Sequence, residues 1–239
     1  MNDTQLQQPF SCFVTGTDTE IGKTLVASAL VHLQARQGWQ VAAMKPVAAG
    51  AVFHDNEWHN EDVDALAAQA SRTLPVSLTS PYVFQTPAAP HVAAAIEKMA
   101  IDPAHILRCF AQVRAQAQSV VVEGVGGFCV PLTDDYDTAD LARDMQLPVV
   151  LVVGMRLGCI SQALLTAEAI RARGLPLLGW VANLVDPHML FLEENTQAIA
   201  QRIKAPLLGR IPRLMHPDAA SAAQCLTAFN PPEWGGDGT

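Results

Sequence analysis

Short apolar runs alternate along this chain with longer stretches whose apolar positions recur every three or four residues. The runs fall at residues 12–15, 41–44, 120–122, 149–153, 178–182 and 207–208. Helical patterning covers residues 23–37, 62–70, 92–99, 103–118, 139–145, 161–173 and 189–203. In the first of these, Val26, Ala29, Leu30 and Leu33 share one face, and Gly38 supplies a stop. Near-continuous Val and Leu runs are what strands covered on both faces look like. Their alternation with helices predicts right-handed βαβ units and an α/β fold, a mostly parallel central sheet with helices on both faces. No repeat, low-complexity tract or long linker divides the chain. A single domain over 10–229 is expected, with flexible ends at 1–9 and 230–239, the second containing Pro231-Pro232 and Gly235-Gly236.

The first apolar run leads into Gly16-Thr-Asp-Thr-Glu-Ile-Gly-Lys-Thr24, which opens the first helix. A strand, a Gly-bounded loop ending in Gly-Lys-Thr and a helix form a cradle for phosphates. Loop N–H groups and the helix N-terminus point at anions, Lys23 adds a full charge, and the Thr24 hydroxyl suits Mg²⁺. Five residues separate Gly16 from Gly22, one more than the usual spacing, so this is a variant of the loop.

The other runs also end in polar or Gly-rich devices: Lys45-Pro46, Glu123-Gly124, Gly154-Met155-Arg156 and Asn183. In a parallel sheet these ends lie along one edge, and ligands of open α/β sheets bind outside it. Only four lysines occur, and two of them, Lys23 and Lys45, stand at that edge. Lys45 reads either as a solvent cation or as a second fixed charge opposite the phosphates, which phosphoryl transfer would use. Glu123 reads as a Mg²⁺ carboxylate or a turn cap, and the glycines behind it allow a nucleotide to approach closely. Asp64 opens a helix, so it suits either a metal and its waters or the helix N-terminus. The amide of Asn183 suits an adenine edge, or a turn before Pro187. Ser161 reads as an N-cap; the same N–H groups could take a substrate carboxylate.

Composition narrows the partners. Half of the 239 residues are hydrophobic, enough for a sizeable core, and the net charge is −8 with 15 Lys and Arg. That argues against nucleic acid or an acidic membrane surface. The five cysteines, at 12, 109, 129, 159 and 225, form no CxxC pair and suit a reducing cytoplasm. The polar first nine residues lead us to expect no secretory leader, and with no apolar run of about 18 residues no transmembrane helix is expected. The seven histidines give no ligand spacing for zinc; His54 and His59 read as loop residues.

Taken together, the motifs resemble the dethiobiotin synthetase family. The similar segments are Phe-Val-Thr-Gly-Thr-Asp-Thr-Glu-Ile-Gly-Lys-Thr (13–24), Lys-Pro-Val-Ala-Ala-Gly (45–50) and Val-Glu-Gly-Val-Gly-Gly (122–127). Leu-Val-Val-Gly-Met-Arg-Leu-Gly-Cys-Ile (151–160), Gly-Trp-Val-Ala-Asn (179–183) and Pro-Leu-Leu-Gly-Arg-Ile-Pro (206–212) complete the set, in order and over most of the chain. The resemblance implies a three-layer P-loop NTPase architecture and an ATP- and Mg²⁺-dependent cyclo-ligase of biotin synthesis. Its substrates would be 7,8-diaminononanoate, CO₂ and ATP. A carbamate would attack the γ-phosphate, and the second amine would close the ring on the resulting mixed anhydride.

By the same resemblance, Glu20, Ile21, Gly22, Lys23, Thr24 and Leu25 would wrap the phosphates. Lys23 and Lys45 would be catalytic, and Thr24, Asp64 and Glu123 would support the metal. Glu123, Gly124, Val125 and Gly126 would face the nucleotide, with Asn183, Leu184, Ile211, Pro212 and Arg213 around adenine. Thr19, Ala49, Leu157, Gly158, Cys159 and Ser161 would meet the substrate, the last four reaching a partner subunit's substrate carboxylate in a homodimer with shared sites. The chain departs from the family's usual pattern at Ala49 (often Ser), Leu184 (often Asp) and Ser161 (often Asn). Two other readings are a partitioning-type nucleotide switch and a non-catalytic paralogue, the second motivated by Ala49 and Leu184.

Overall fold

The computed structural model describes residues 8–227; the expected loose ends at 1–9 and 230–239 lie outside it except for residues 8 and 9. In chain order, β1 (Cys12–Gly16) leads into α1 (Lys23–Arg36), followed by β2 (Val41–Met44), β3 (Val47–Ala49), β4 (Val52–His54) and β5 (Glu57–His59). Next come α2 (Glu61–Gln69), α3 (Val76–Thr79), β6 (Tyr82–Phe84), α4 (Pro90–Glu97) and α5 (Pro103–Arg114). The second half runs β7 (Ser119–Glu123), α6 (Thr138–Asp144), β8 (Val149–Met155), α7 (Cys159–Ala172), β9 (Leu177–Leu184), α8 (Leu192–Ile203), β10 (Leu207–Ile211) and α9 (Ala219–Gln224).

All six apolar runs become strands of one sheet, ordered β10-β9-β8-β1-β7-β2, with every neighbouring pair parallel. Side chains alternate across it as the pleat requires. Cys12 and Val14 join the core under α1 and α9, together with Leu30 and Ala222. Phe13 joins the opposite core, with Ile106 of α5, Leu141 of α6 and Ala163 of α7. Both faces of β1 are therefore sealed, which explains why its sequence is apolar without alternation. The result is the three-layer α/β architecture expected from the pattern.

Helix ends follow local chemistry. Asn60 caps α2 by accepting from the backbone of Asp62 and Val63, and Asp137 and Asp140 form a capping box on α6. Gly38, with φ of 86°, closes α1 where the sequence placed the stop. Helix α5 ends at Arg114 rather than 118, and α8 starts at Leu192 rather than 189.

The pattern did not reveal the small strands. β3 and β6 pair in parallel, and β4 and β5 form a hairpin turning on Asp55 and Asn56, both with positive φ. His54 and His59, expected in a loop, are cross-strand neighbours on that hairpin, their rings stacked at 3.9 Å. Three-residue strands are too short for a period of two to register.

Candidate active site

The sheet's register gathers the strand ends. Val14 pairs with Glu123, Gly16 with Val152, and Asn183 with both Gly154 and Ile211. Residues far apart in sequence thus share one edge, with β1 central.

The phosphate loop leaves β1 at Gly16 and is held from both sides. Thr17 N donates to Val152 O at 3.0 Å, and Gly154 N donates to Thr17 Oγ1 at 3.4 Å. Ile21 is buried, so close to Gly154 that a Cβ there would meet its Cγ2 at 2.5 Å. Asn183 Nδ2 donates to Ile21 O at 2.8 Å. The amide expected at an adenine edge is thus engaged, on this nitrogen, in bracing the loop. Gly22 (φ 86°) is the N-cap of α1 and supplies no side-chain bond, so the first N–H groups of α1 receive no side-chain cap. Glu20 also has positive φ, 58°, and lies exposed with Thr19 at the loop's crest; Leu25 packs on the α1 core.

Lys23 and Lys45 are both buried. Lys23 Nζ donates to Asp18 O at 2.9 Å. Burial lowers its pKa first, the nearby charge of Lys45 second, and the surrounding carboxylates recover only part of the drop. Lys45 Nζ donates to Glu123 Oε1 at 2.6 Å and Gly124 O at 3.1 Å, and pairs with Asp62 Oδ2 at 2.9 Å. An ammonium has three donors, so all are occupied. Burial opposes its charge, but Glu123 and Asp62 outweigh burial and its pKa is raised. Asp62 is lowered: the charge of Lys45 and the Thr24 hydrogen bond overcome its own desolvation.

Thr24 Oγ1 lies 2.5 Å from Asp62 Oδ1 and 2.9 Å from Glu123 Oε1. One hydroxyl proton can serve only one of the two carboxylates. Glu123 Oε2 is buried with no hydrogen-bond partner. An all-oxygen set of one hydroxyl and two carboxylates, with an orphaned oxygen, suits a hard divalent cation such as Mg²⁺, which binds through few carboxylates and keeps waters and phosphates as its other ligands. Among the described residues no group of three or more His, Cys, Asp or Glu side chains is placed to hold a metal.

Sequence reasoning named Asp64; the structure places Asp62, not Asp64, against Lys45 and Thr24. Asp64 Oδ2 lies 3.1 Å from His59 Nδ1, half exposed and outside the contacts of Lys45 and Thr24. Two residues along a helix turn the side chain about 200°, so Asp62 and Asp64 cannot face the same site. The signal lay in Asn60: its cap starts α2 at Glu61 and aims the first turn, which carries Asp62, at Lys45.

Opposite the loop, Gly124 N donates to Val14 O at 2.9 Å, and a Cβ on Gly126 would lie 3.6 Å from Thr19 Oγ1. The 124–126 turn therefore faces the phosphate loop, while the Val125 side chain packs on the core. A small open cleft borders Glu123 and Val125, and another reaches Lys45 from the α2 side. Ala49 O accepts from Asn60 Nδ2 at 3.1 Å, tying β3 to the start of α2. Leu184 pairs with Met155, half-buried; Ile211 is buried beside Asn183, and Pro212 and Arg213 follow it exposed. Helix α7 starts at Cys159 with Gly158 as its N-cap, so Ser161 is not the cap but an exposed residue of the first turn. Gly158 has φ of 94°, a left-handed conformation that suits glycine. Leu157 is exposed, Cys159 buried.

A family model described as an AAA domain matches residues 11–221. The chain is 57% identical to an ATP-dependent dethiobiotin synthetase BioD of Janthinobacterium sp. (strain Marseille), covering 94% of this chain and 97% of that one. It is 56% identical to the protein of the same name from Aromatoleum aromaticum, over 92% of this chain and 98% of the other. Among solved structures, the septum site-determining protein MinD with Mg-ADP from Pyrococcus horikoshii OT3 superposes with a TM-score of 0.55 at 16% identity, over 93% and 94% of the two chains. The MinC:MinD complex of Aquifex aeolicus gives 0.55 at 13% identity, over 92% and 94%. At such identity the likeness is one of fold.

Proposed function

The chain belongs to the ATP-dependent dethiobiotin synthetase family, and we propose that its strand-end crevice phosphorylates a carbamate of 7,8-diaminononanoate so that the second amine can close the cyclic urea. It is an ATP-dependent ligase of biotin synthesis. The observation that carries the detailed reading is the Lys45 ammonium held between Glu123 and Asp62 beside the phosphate loop.

In this reading one substrate amine adds to CO₂ and loses a proton, giving the carbamate. A carbamate oxygen attacks the γ-phosphorus of ATP, the bond to the β,γ-bridging oxygen breaks, and ADP leaves. The second amine attacks the carbonyl of the mixed anhydride, phosphate departs and the ring closes. Such chemistry is carried by positioning and charge stabilisation. Glu20 to Leu25 wrap the phosphates, with Lys23 adding a phosphate oxygen to the Asp18 carbonyl it already holds. Lys45 stabilises the carbamate and the moving phosphoryl group. Because its donors are all occupied, it gives up one contact to do so, and Asp62 is the solvent-facing partner that can yield. Thr24, Asp62 and Glu123 would hold Mg²⁺. When bound, the cation supplies charge neutralisation for the phosphates.

The remaining roles are assigned to Gly124, Val125 and Gly126 facing the nucleotide, and to Asn183, Leu184, Ile211, Pro212 and Arg213 around the base. Thr19, the Ala49 backbone, and Leu157, Gly158, Cys159 and Ser161 meet the diamine, the last group across a homodimer interface. The first turn of α7 receives no side-chain cap, which supports the carboxylate assignment. No described helix is long and apolar enough to cross a membrane. The test is phosphate release with ATP, diamine and bicarbonate omitted in turn, followed by mass analysis of the product. All three should be required. Release with ATP alone at an undiminished rate would sink the proposal and favour a nucleotide switch.

A further inference from the structure

Asp18 is held through three of its atoms. Its backbone carbonyl accepts from Lys23 Nζ at 2.9 Å, and its Oδ1 accepts from Thr19 N at 2.7 Å. Its Oδ2 accepts from Arg156 Nη2. Arg156 follows β8 and belongs to the turn that opens α7: its carbonyl accepts from Cys159 N at 3.0 Å. One residue of the phosphate loop therefore grips the phosphate lysine and the turn before α7 at once. Both side chains of the ion pair are 41% exposed, and pairs that wet add little to folding. Their consequence is positional. They join the loop after β1 to the loop after its sheet neighbour β8, where Thr17 and Gly154 add a longer, neutral contact.

We propose that Asp18 is a positioning residue that links nucleotide binding to substrate-carboxylate binding. Ordering the phosphate loop around ATP fixes Asp18, Asp18 fixes Arg156, and the turn at 157–161 presents its N–H groups, other than that of Cys159, already aligned. By linkage the effect is reciprocal: substrate at α7 tightens ATP by the same factor. The inference rests on the reading of that turn as the carboxylate site. In a dimer with shared sites, the link runs from one phosphate loop to the neighbouring site's substrate.

Calorimetry on the full chain tests it, with diaminononanoate titrated in the presence and absence of a non-hydrolysable ATP analogue and Mg²⁺. The wild type should bind diamine about fivefold more tightly with the analogue, a size set by one solvent-exposed pair. Asp18→Asn and Arg156→Gln should each bring that ratio below about twofold, while the charge exchange Asp18→Arg/Arg156→Asp should restore part of it. A merely structural pair would change stability or both affinities without altering their ratio. Single variants that keep the wild-type ratio overturn the inference and leave the proposed reaction standing. A wild-type chain that binds the analogue but no diamine under either condition overturns the reaction itself.

Discussion

Lys45 Nζ lies 2.6 Å from Glu123 Oε1, joining the ends of β2 and β7 where these neighbouring strands leave the sheet. Lys45 and Glu123 are 3% and 1% exposed, so this is a buried ion pair. Burial holds Glu123 above the usual carboxylate range even with Lys45 beside it.

Removing one partner of such a pair strands the other. Lys45→Met should destabilise the fold by about 3–5 kcal/mol at neutral pH, the cost of an uncompensated buried charge. The loss should shrink as pH falls and Glu123 takes up a proton. Lys45→Met/Glu123→Gln should recover most of the stability, while both variants lose activity by at least about 100-fold, the scale of one lost charge-stabilising donor. Urea unfolding at two pH values reads the comparison. A single variant no less stable than the double would show that the pair is not coupled as described.

The two aspartates of α2 separate by geometry. Asp62→Asn removes a carboxylate in contact with both Lys45 and Thr24 and should cost about 100-fold in kcat or more, with a raised Mg²⁺ requirement. Asp64→Asn loses only a half-exposed contact with His59 and should leave activity within about twofold and stability within about 0.5 kcal/mol. Steady-state kinetics across a Mg²⁺ series decides between them. The reverse ranking would return the metal role to Asp64.

How much of this was legible in the chain divides at the same helix. Long buried strands announce themselves, because sealing both faces forces continuous Val and Leu, so all six sheet strands and the edge at Lys45, Glu123 and Asn183 were readable. The sequence also offered Asp62 beside Asp64. Choosing between them needs the helix start to within one residue, and that is set by Asn60, whose cap shows no periodicity. The sequence offered the Asn183 amide as an adenine contact or a turn residue, with no sign of its brace on the loop. Its contact with Ile21 spans 162 positions, and no local pattern carries a pairing of that range.

Lys23 should give the ligand-free protein an unusual alkaline response. Its folded pKa lies below the ordinary 10.5, driven by burial and then by Lys45. Between the lowered value and 10.5 the unfolded chain binds more protons, so Lys23 alone makes stability rise with pH there. Lys45 acts with the opposite sign and later: its pKa is raised, so its contribution is intact below 10.5 and is lost as pH climbs through the folded value. ATP affinity should meanwhile fall as pH rises through the Lys23 titration, since the neutral amine cannot pair with phosphate. Calorimetric binding across an alkaline series, with Lys23→Gln as the flat control, measures this. A decline that begins only above 10.5 would contradict the lowered pKa.

Gly22 is where backbone, brace and ligand meet. Its φ of 86° disfavours any side chain, and a Cβ would stand 2.3 Å from Asn183 Nδ2, the atom that holds Ile21 O. Gly22→Ala therefore meets two penalties: left-handed strain of about 1–2 kcal/mol, and displacement of the Asn183 amide. Asn183→Ala removes the brace and the clash together but leaves the loop's dihedral angles alone. The expected order of ATP affinity is wild type, then Asn183→Ala, then Gly22→Ala, with the last binding at least about tenfold more weakly than wild type, about 1.4 kcal/mol. In the double variant Gly22→Ala/Asn183→Ala the clash is gone and only strain and the lost brace remain, so affinity should exceed the sum of the single effects. Strict additivity would mean that Asn183 does not brace this loop.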